Sequence, residues 1–90
     1  MHLTDIKIKN TKPGDKARKL FDGNGLFLQG DPTGSKLWRM KYRYRGKEKL
    51  LSFGPYPEVA LRDARDKRQE ARALLRDDRD PSQVKKENDA

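Results

Sequence analysis

The chain has no cysteine and one histidine, His2. Neither a disulfide framework nor a thiolate metal centre can form, so packing alone must hold the fold. A lone histidine cannot build a zinc site or a nucleophilic triad, and no paired carboxylates stand at a catalytic spacing. The sequence offers no catalytic residue, no metal ligand and no cofactor motif. Long apolar runs are also missing. Nothing approaches the roughly 18–20 residues of a membrane span, and Met1-His2-Leu3-Thr4-Asp5 lacks the apolar centre of a signal peptide. The expected setting is a reducing, cytoplasmic one with no membrane partner. Ninety residues make one domain. A chain of this size buries roughly 60–65% of its unfolded surface, enough for a modest core and too little for a deep substrate cavity.

What is present is charge, and it is unevenly placed. Residues 1–57 hold 13 Lys/Arg against 5 Asp/Glu, while residues 58–90 hold 9 of each. The whole formal surplus of +8 therefore lies in the first two-thirds of the chain. A localised surplus can displace counterions from a phosphate backbone, which makes a polyanion the expected partner. The plainer alternative is a solvated basic face with no partner.

Thr4 is placed to cap a short helical turn over Asp5–Lys9, closed by Pro13-Gly14. Lys19-Leu20-Phe21 and Leu26-Phe27-Leu28-Gln29 flank the turn signal Asp22-Gly23-Asn24-Gly25, and Asp31-Pro32-Thr33-Gly34 makes a second turn. Leu37–Tyr44 is the clearest strand. Arg45-Gly46 breaks it, Lys47–Phe53 returns, and Gly54-Pro55-Tyr56-Pro57 ends the sheet. From Ala60 to Arg76 the period changes: Leu61, Ala64, Arg68, Ala71, Leu74 and Leu75 recur at helical spacing. The expected fold class is α+β. A small antiparallel three-stranded sheet, with a short N-terminal strand and a helical turn, packs on one face against a C-terminal helix. Residues 1–82 form the domain, and 83–90 form a polar tail or the start of a linker.

The third strand alternates. Trp38, Met40, Tyr42 and Tyr44 point one way; Leu37, Arg39, Lys41 and Arg43 point the other. The aromatic row reads as core rather than as a stacking platform. Three cations in register repel one another, a cost that a purely structural face has little reason to carry. If Arg45-Gly46 is a two-residue hairpin loop, Trp38 lies opposite Phe53, Met40 opposite Leu51, Arg39 opposite Ser52, Lys41 opposite Leu50 and Arg43 opposite Glu48. A three-residue loop would scramble these pairs. In the preceding strand Leu26 and Leu28 join the core, leaving Phe27 and Gln29 on the basic face. Phe27 there is either a hydrophobe under a loop or an apolar contact for a base methyl. Such a face suits a DNA major groove, where Arg and Lys read guanine and Gln reads adenine. The base-facing set is then Arg39, Lys41, Arg43, Phe27, Gln29 and Ser52, with Lys36, Arg45, Lys47 and Lys49 placed for phosphates.

An ordered series of residues carries a family resemblance. It runs through Leu3-Thr4-Asp5, Ile8, Lys12-Pro13, Lys19-Leu20, Asp22-Gly23-Asn24-Gly25-Leu26 and Gly34-Ser35-Lys36-Leu37-Trp38. It continues through Tyr42-Arg43, Gly46-Lys47, Leu51-Ser52-Phe53-Gly54-Pro55-Tyr56-Pro57, Leu61, Ala64-Arg65 and Asp80-Pro81. Together these resemble the N-terminal arm-type DNA-binding domain of P4-like phage and genomic-island integrases, which are tyrosine recombinases. The resemblance implies binding to arm-type sites on double-stranded DNA. It also implies a parent recombinase that integrates or excises a mobile element or prophage. Other integrase protomers and accessory DNA-bending proteins are the further partners it implies. The family's catalytic domain has no counterpart in these residues, so the chain is expected to be catalytically inert alone. Asn24 stands where the family often has Gly, Gln29-Gly30-Asp31 replaces a more apolar strand end, and Ala60 stands where a Ser often caps the long helix. Losing such a cap costs about 0.5–2 kcal/mol.

Two rival readings remain. A double-stranded-RNA-binding domain shares a helix, three strands and a helix, but binds largely through helices and loops. Here the long helix is charge-neutral and the cations lie on the sheet. A protein-interaction module with a basic face is the other rival.

Overall fold

Two residue pairs, Asn24-Gly25 and Arg45-Gly46, fold the chain back on itself. All four have positive φ (52° and 86°, 50° and 80°), the twisted two-residue turn that leads one strand directly into its antiparallel neighbour. The computed structural model describes residues 3–10 and 18–89. Within them the order is helix α1 (Asp5–Asn10), strands β1 (Arg18–Gly23), β2 (Leu26–Gly30), β3 (Lys36–Tyr44) and β4 (Lys47–Tyr56), then helices α2 (Leu61–Arg76) and α3 (Pro81–Asp89). The Pro13-Gly14 stop lies outside the described residues.

The sheet is an antiparallel meander in the order β1-β2-β3-β4. It has four strands where the sequence reading expects three and a short extra one. The reason is that β1 pairs with β2 from Arg18↔Gly30 to Phe21↔Phe27, and so is a full member. The two-residue loop sets the β3–β4 register as expected over Tyr44↔Lys47, Arg43↔Glu48, Tyr42↔Lys49, Lys41↔Leu50, Met40↔Leu51 and Arg39↔Ser52. One residue further the ladder slips. Trp38 pairs with Gly54 instead of Phe53, because Phe53 is the extra residue of a β-bulge. Gly54 fits because its φ is +128° and a Cβ there would sit 2.8 Å from the Val59 side chain.

Only one side of the sheet is covered by the helices. Leu26, Leu28 and Trp38 are buried with Leu3, Ile8, Leu61 and Ala64, and a second cluster joins Met40, Tyr42 and Leu51 to Ala71. Alanines at 64 and 71 let α2 approach the strands closely. The indole nitrogen of Trp38 donates to the Val59 carbonyl at 2.7 Å, so the largest core side chain leaves no orphaned donor.

Thr4 caps α1 as expected, its hydroxyl accepting from the Lys7 amide at 3.2 Å. Ala60 gives α2 no side-chain cap, and Asp63 compensates in part by accepting from the Ala60 amide at 3.3 Å. Asp78, at φ +56°, ends α2: the Asp78 amide bonds Leu75 O and the Arg79 amide bonds Leu74 O, closing the last turn. Helix α3, Pro81–Asp89, runs on into the stretch expected to be a polar tail or the start of a linker. Asp80 accepts from the Ser82 amide at 3.0 Å, and Pro81 occupies the first helical position, where its missing N–H costs nothing.

Candidate nucleic-acid interface

Arg39, Lys41 and Arg43 alternate with buried Trp38, Met40 and Tyr42, so their side chains share the side of the sheet away from α2. The same side receives Lys19 and Phe21 from β1, Phe27 and Gln29 from β2, and Glu48, Leu50 and Ser52 from β4. One row across all four strands reads Phe21, Phe27, Arg39, Ser52. Lys41 and Arg43 are exposed; Arg39, Gln29 and Ser52 are half-buried. The Arg39 Nε is buried and makes no hydrogen bond.

Phe27 presents no surface. It is 2% exposed, with the Phe21 ring 5.6 Å away centroid to centroid and the Lys19 ammonium 5.2 Å from its own ring centre. The accessible ring of that row is Phe21, 62% exposed, which the sequence reading left aside.

Glu48 is Arg43's cross-strand neighbour, yet its carboxylate pairs diagonally with Lys41 at 2.7 Å. The Lys41 hydrogen bond and charge hold the Glu48 carboxyl below its usual range, with a smaller contribution from Arg43. Both partners of this pair are more than half exposed, so it contributes little to stability. Among the described residues, Arg39 and Arg43 form no ion pair.

The four phosphate candidates are not brought together. Lys36 lies at one end of β3 on the helix side, donating to the Ile8 carbonyl at 3.2 Å with its ammonium 5.6 Å from the Tyr56 ring centre. Arg45 and Lys49 lie at the opposite end. Arg45 pairs with Asp78 at 3.2 Å and lies over the Tyr44 ring; Lys49 pairs with Asp80. The hydrogen bond it donates to Asp80 holds the Lys49 ammonium above its ordinary range. Lys47 is exposed. The same Asp80 accepts from the Tyr42 hydroxyl at 2.6 Å, and Ser82 meets that hydroxyl too, tying the start of α3 to the strand pair.

The strongest polar site lies on the helix side, and the sequence reading missed it. Asp22 is skipped by the β1–β2 ladder between Phe21 and Gly23, and its carboxylate turns inward with 0% exposure. It accepts from the Leu3 amide at 2.7 Å, from Arg65 Nε and Nη2 at 2.9 and 2.8 Å, and from Arg68 Nη1 at 3.0 Å. Burial alone would raise its pKa; the Arg65 hydrogen bonds, the Leu3 amide and the two guanidinium charges outweigh burial and hold it below the ordinary value. Two of the helix's arginines are thus spent on a structural anion. The signal present in the sequence was Arg68 on the inward stripe, with Arg65 three residues before it and Asp22 in the first turn signal.

A family model described as the arm DNA-binding domain matches residues 3–88. The chain belongs to the arm DNA-binding domain family. This arm domain is 47% identical over 89 residues to the integrase of Enterobacteria phage P4, covering 97% of this chain and 20% of that protein. It is 48% identical over 88 residues to the prophage integrase IntA of Escherichia coli K12 and 43% identical over 84 residues to IntS of the same strain, covering 94% and 93% of this chain and 21% and 22% of those proteins. The chain therefore spans about a fifth of the length of the curated relatives it matches. Membership makes DNA the arm domain's ligand. No described helix is long and apolar enough to cross a membrane, and no cluster of acids or histidine that could hold a metal occurs among the described residues.

Proposed function

We propose that this arm domain binds double-stranded DNA sequence-specifically at arm-type sites, laying the Arg39 side of its sheet in the major groove. In this reading it serves a site-specific recombinase that integrates and excises a mobile element. The observation that carries the reading is the distribution of ion pairs. On the helix side Arg45, Lys49, Arg65 and Arg68 all form ion pairs, whereas among the described residues Arg39 and Arg43 on the opposite side form none. Guanidinium groups held on rigid strands and not engaged in an ion pair suit the O6 and N7 acceptors of guanine. Gln29 suits adenine, and Ser52 lies in the Arg39 row. Lys41 is shared between Glu48 and the ligand. Lys47 meets phosphate at the hairpin end, where Arg45 and Lys49 can exchange Asp78 and Asp80 for it, and Lys36 serves the far end of β3. Recombination itself, and contacts with other protomers and accessory DNA-bending proteins, belong to the longer protein.

Titration with duplexes at rising salt tests the reading. The logarithm of affinity should fall linearly with the logarithm of salt concentration, and one sequence should be preferred. Arg39→Ala and Arg43→Ala should each cost about 1–3 kcal/mol on the preferred duplex and relax the preference at one position. A uniform loss on all duplexes would show that these arginines hold phosphate and do not read bases.

A further inference from the structure

Of the large hydrophobic side chains among the described residues, three are strongly exposed: Ile6, Phe21 and Leu50. Two of them, Phe21 at 62% and Leu50 at 46%, stand on the cationic side of the sheet. Phe21 is paired with Phe27 on β1–β2, and Leu50 is paired with Lys41 on β3–β4. Arg39 lies between them: Phe21 ends its row on one edge strand, and Leu50 lies diagonally across from it on the other.

Single exposed hydrophobes are common and need no explanation. This pair differs in its surroundings. The two are separated by the Phe27–Arg39 pair and do not form the contiguous apolar patch that a protein partner requires. Each is interleaved with cations, Lys19 two residues from Phe21 and Lys41 across from Leu50. A matching ligand surface must alternate anionic or acceptor groups with small isolated apolar ones. The major groove is such a surface. Its only apolar base substituent is the C5-methyl of thymine, at the outer margin of the pair beside that strand's own backbone. Four strands at about 4.8 Å spacing place β1 and β4 roughly 14 Å apart, comparable with a groove about 12 Å wide. Side chains on the edge strands thus meet the groove margins, where the methyls are, while Arg39 meets its floor.

We infer that Phe21 and Leu50 are specificity-determining residues that read 5-methylpyrimidines, so that the preferred duplex carries thymine on both flanks of the base pair contacted by Arg39. This rests on the proposed docking of the Arg39 side into the major groove. Phe27 supports the reading indirectly: its ring packs against the Phe21 ring, 5.6 Å centroid to centroid.

The test uses the tightest duplex that the wild-type chain recovers from a randomised pool. That duplex is then remade with deoxyuridine for thymine, which removes only the C5-methyl. Affinity should fall roughly fourfold for each contacted methyl, the weight of one CH₂-sized apolar group leaving water. Restoring a methyl with 5-methylcytosine in a cytosine-substituted flank should recover part of the loss. Leu50→Ser should lose affinity for the thymine duplex and become indifferent to uracil at its flank; Phe21→Ser should do the same at the other, with thermal melting as a check that each variant is folded. Equal wild-type affinity for thymine and uracil duplexes overturns the inference whatever the variants do. If that equality is found while Arg39→Ala still weakens and relaxes binding, only the methyl reading fails. If Arg39→Ala and Arg43→Ala bind like wild type, the docking itself is wrong.

Discussion

Replacing Asp22 with asparagine should cost this domain about 3 kcal/mol, a large part of what it has. A 90-residue domain is stable by about 5–13 kcal/mol. Asp22 is fully buried and accepts from the Leu3 amide and from two guanidinium groups. Removing one partner of a buried ion pair costs about 3–5 kcal/mol, because the remaining charge stays desolvated and uncompensated. Arg65 is 36% exposed and can turn part of its charge to water, whereas Arg68 at 13% cannot, which favours the lower end of that range. Asparagine keeps the shape but sets an N–H₂ against donors, so it is no milder than alanine. The midpoint of thermal unfolding should fall by roughly 12–24 °C. Urea titration followed by the fluorescence of Trp38, the sole tryptophan and fully buried, measures the free energy directly. Because the Asp22 pKa is depressed in the folded state, its contribution is present above the unfolded value of about 3.9 and is lost as pH falls through the lower folded value. The difference between wild type and Asp22→Asn should therefore hold constant from pH 7 to 5 and close only below about pH 4. DNA affinity of the folded variant should be unchanged, since Asp22 is on the helix side. A loss under about 1 kcal/mol, or a difference that ignores acid, would refute the reasoning.

Tyr42→Phe removes the hydroxyl that meets Asp80 and Ser82 and should cost about 1–2 kcal/mol; hydrogen exchange should quicken in α3 and not in β2. Burial and the Asp80 bond raise the Tyr42 pKa, so the stability it supplies is complete below about pH 10 and fades as pH rises through the folded value; the cost of the substitution should shrink only in strong alkali. Gly25→Ala should cost at least about 2 kcal/mol: φ is +86° and the new Cβ would lie 2.2 Å from the Lys41 carbonyl oxygen, so β3 must shift, which urea titration will show. Lys36→Ala should weaken all duplexes alike without altering which is preferred, measured by the same salt titrations.

The sequence carried the sheet well because its signals are local. Arg45-Gly46 allows a two-residue loop, and from that loop the pairing of Arg39 through Tyr44 follows by counting. Counting fails at Trp38, since within Ser52-Phe53-Gly54 the glycine is the single hint of the bulge. The helix stripe was legible in Leu61, Ala64 and Ala71, while the end of α2 was not, because Asp78 takes the left-handed position usually given to glycine. Asp80-Pro81 does not end α2, which stops at Arg76; it starts α3, with Asp80 accepting from the Ser82 amide and Pro81 as the first helical residue. The site was harder. Alternation placed Arg39, Lys41 and Arg43 on one side, but which of them keeps an ion partner depends on side-chain reach: Glu48 reaches Lys41 and not its direct neighbour Arg43. The contact of Phe27 with Phe21 and Lys19 needed the position of β1, which short apolar runs do not fix.

The meander has a kinetic consequence. Strand order equals chain order, and the connections are two residues at Asn24-Gly25 and Arg45-Gly46 and five across Asp31–Ser35. Each pairing closes only a short loop, so little chain entropy is spent before the ladder begins to offset it. Sheets whose neighbours are distant in sequence fold slowly for lack of this. Every side chain on the cationic side, from Lys19 to Ser52, comes from one unbroken stretch, so the surface can assemble by successive zippering before α2 docks behind it.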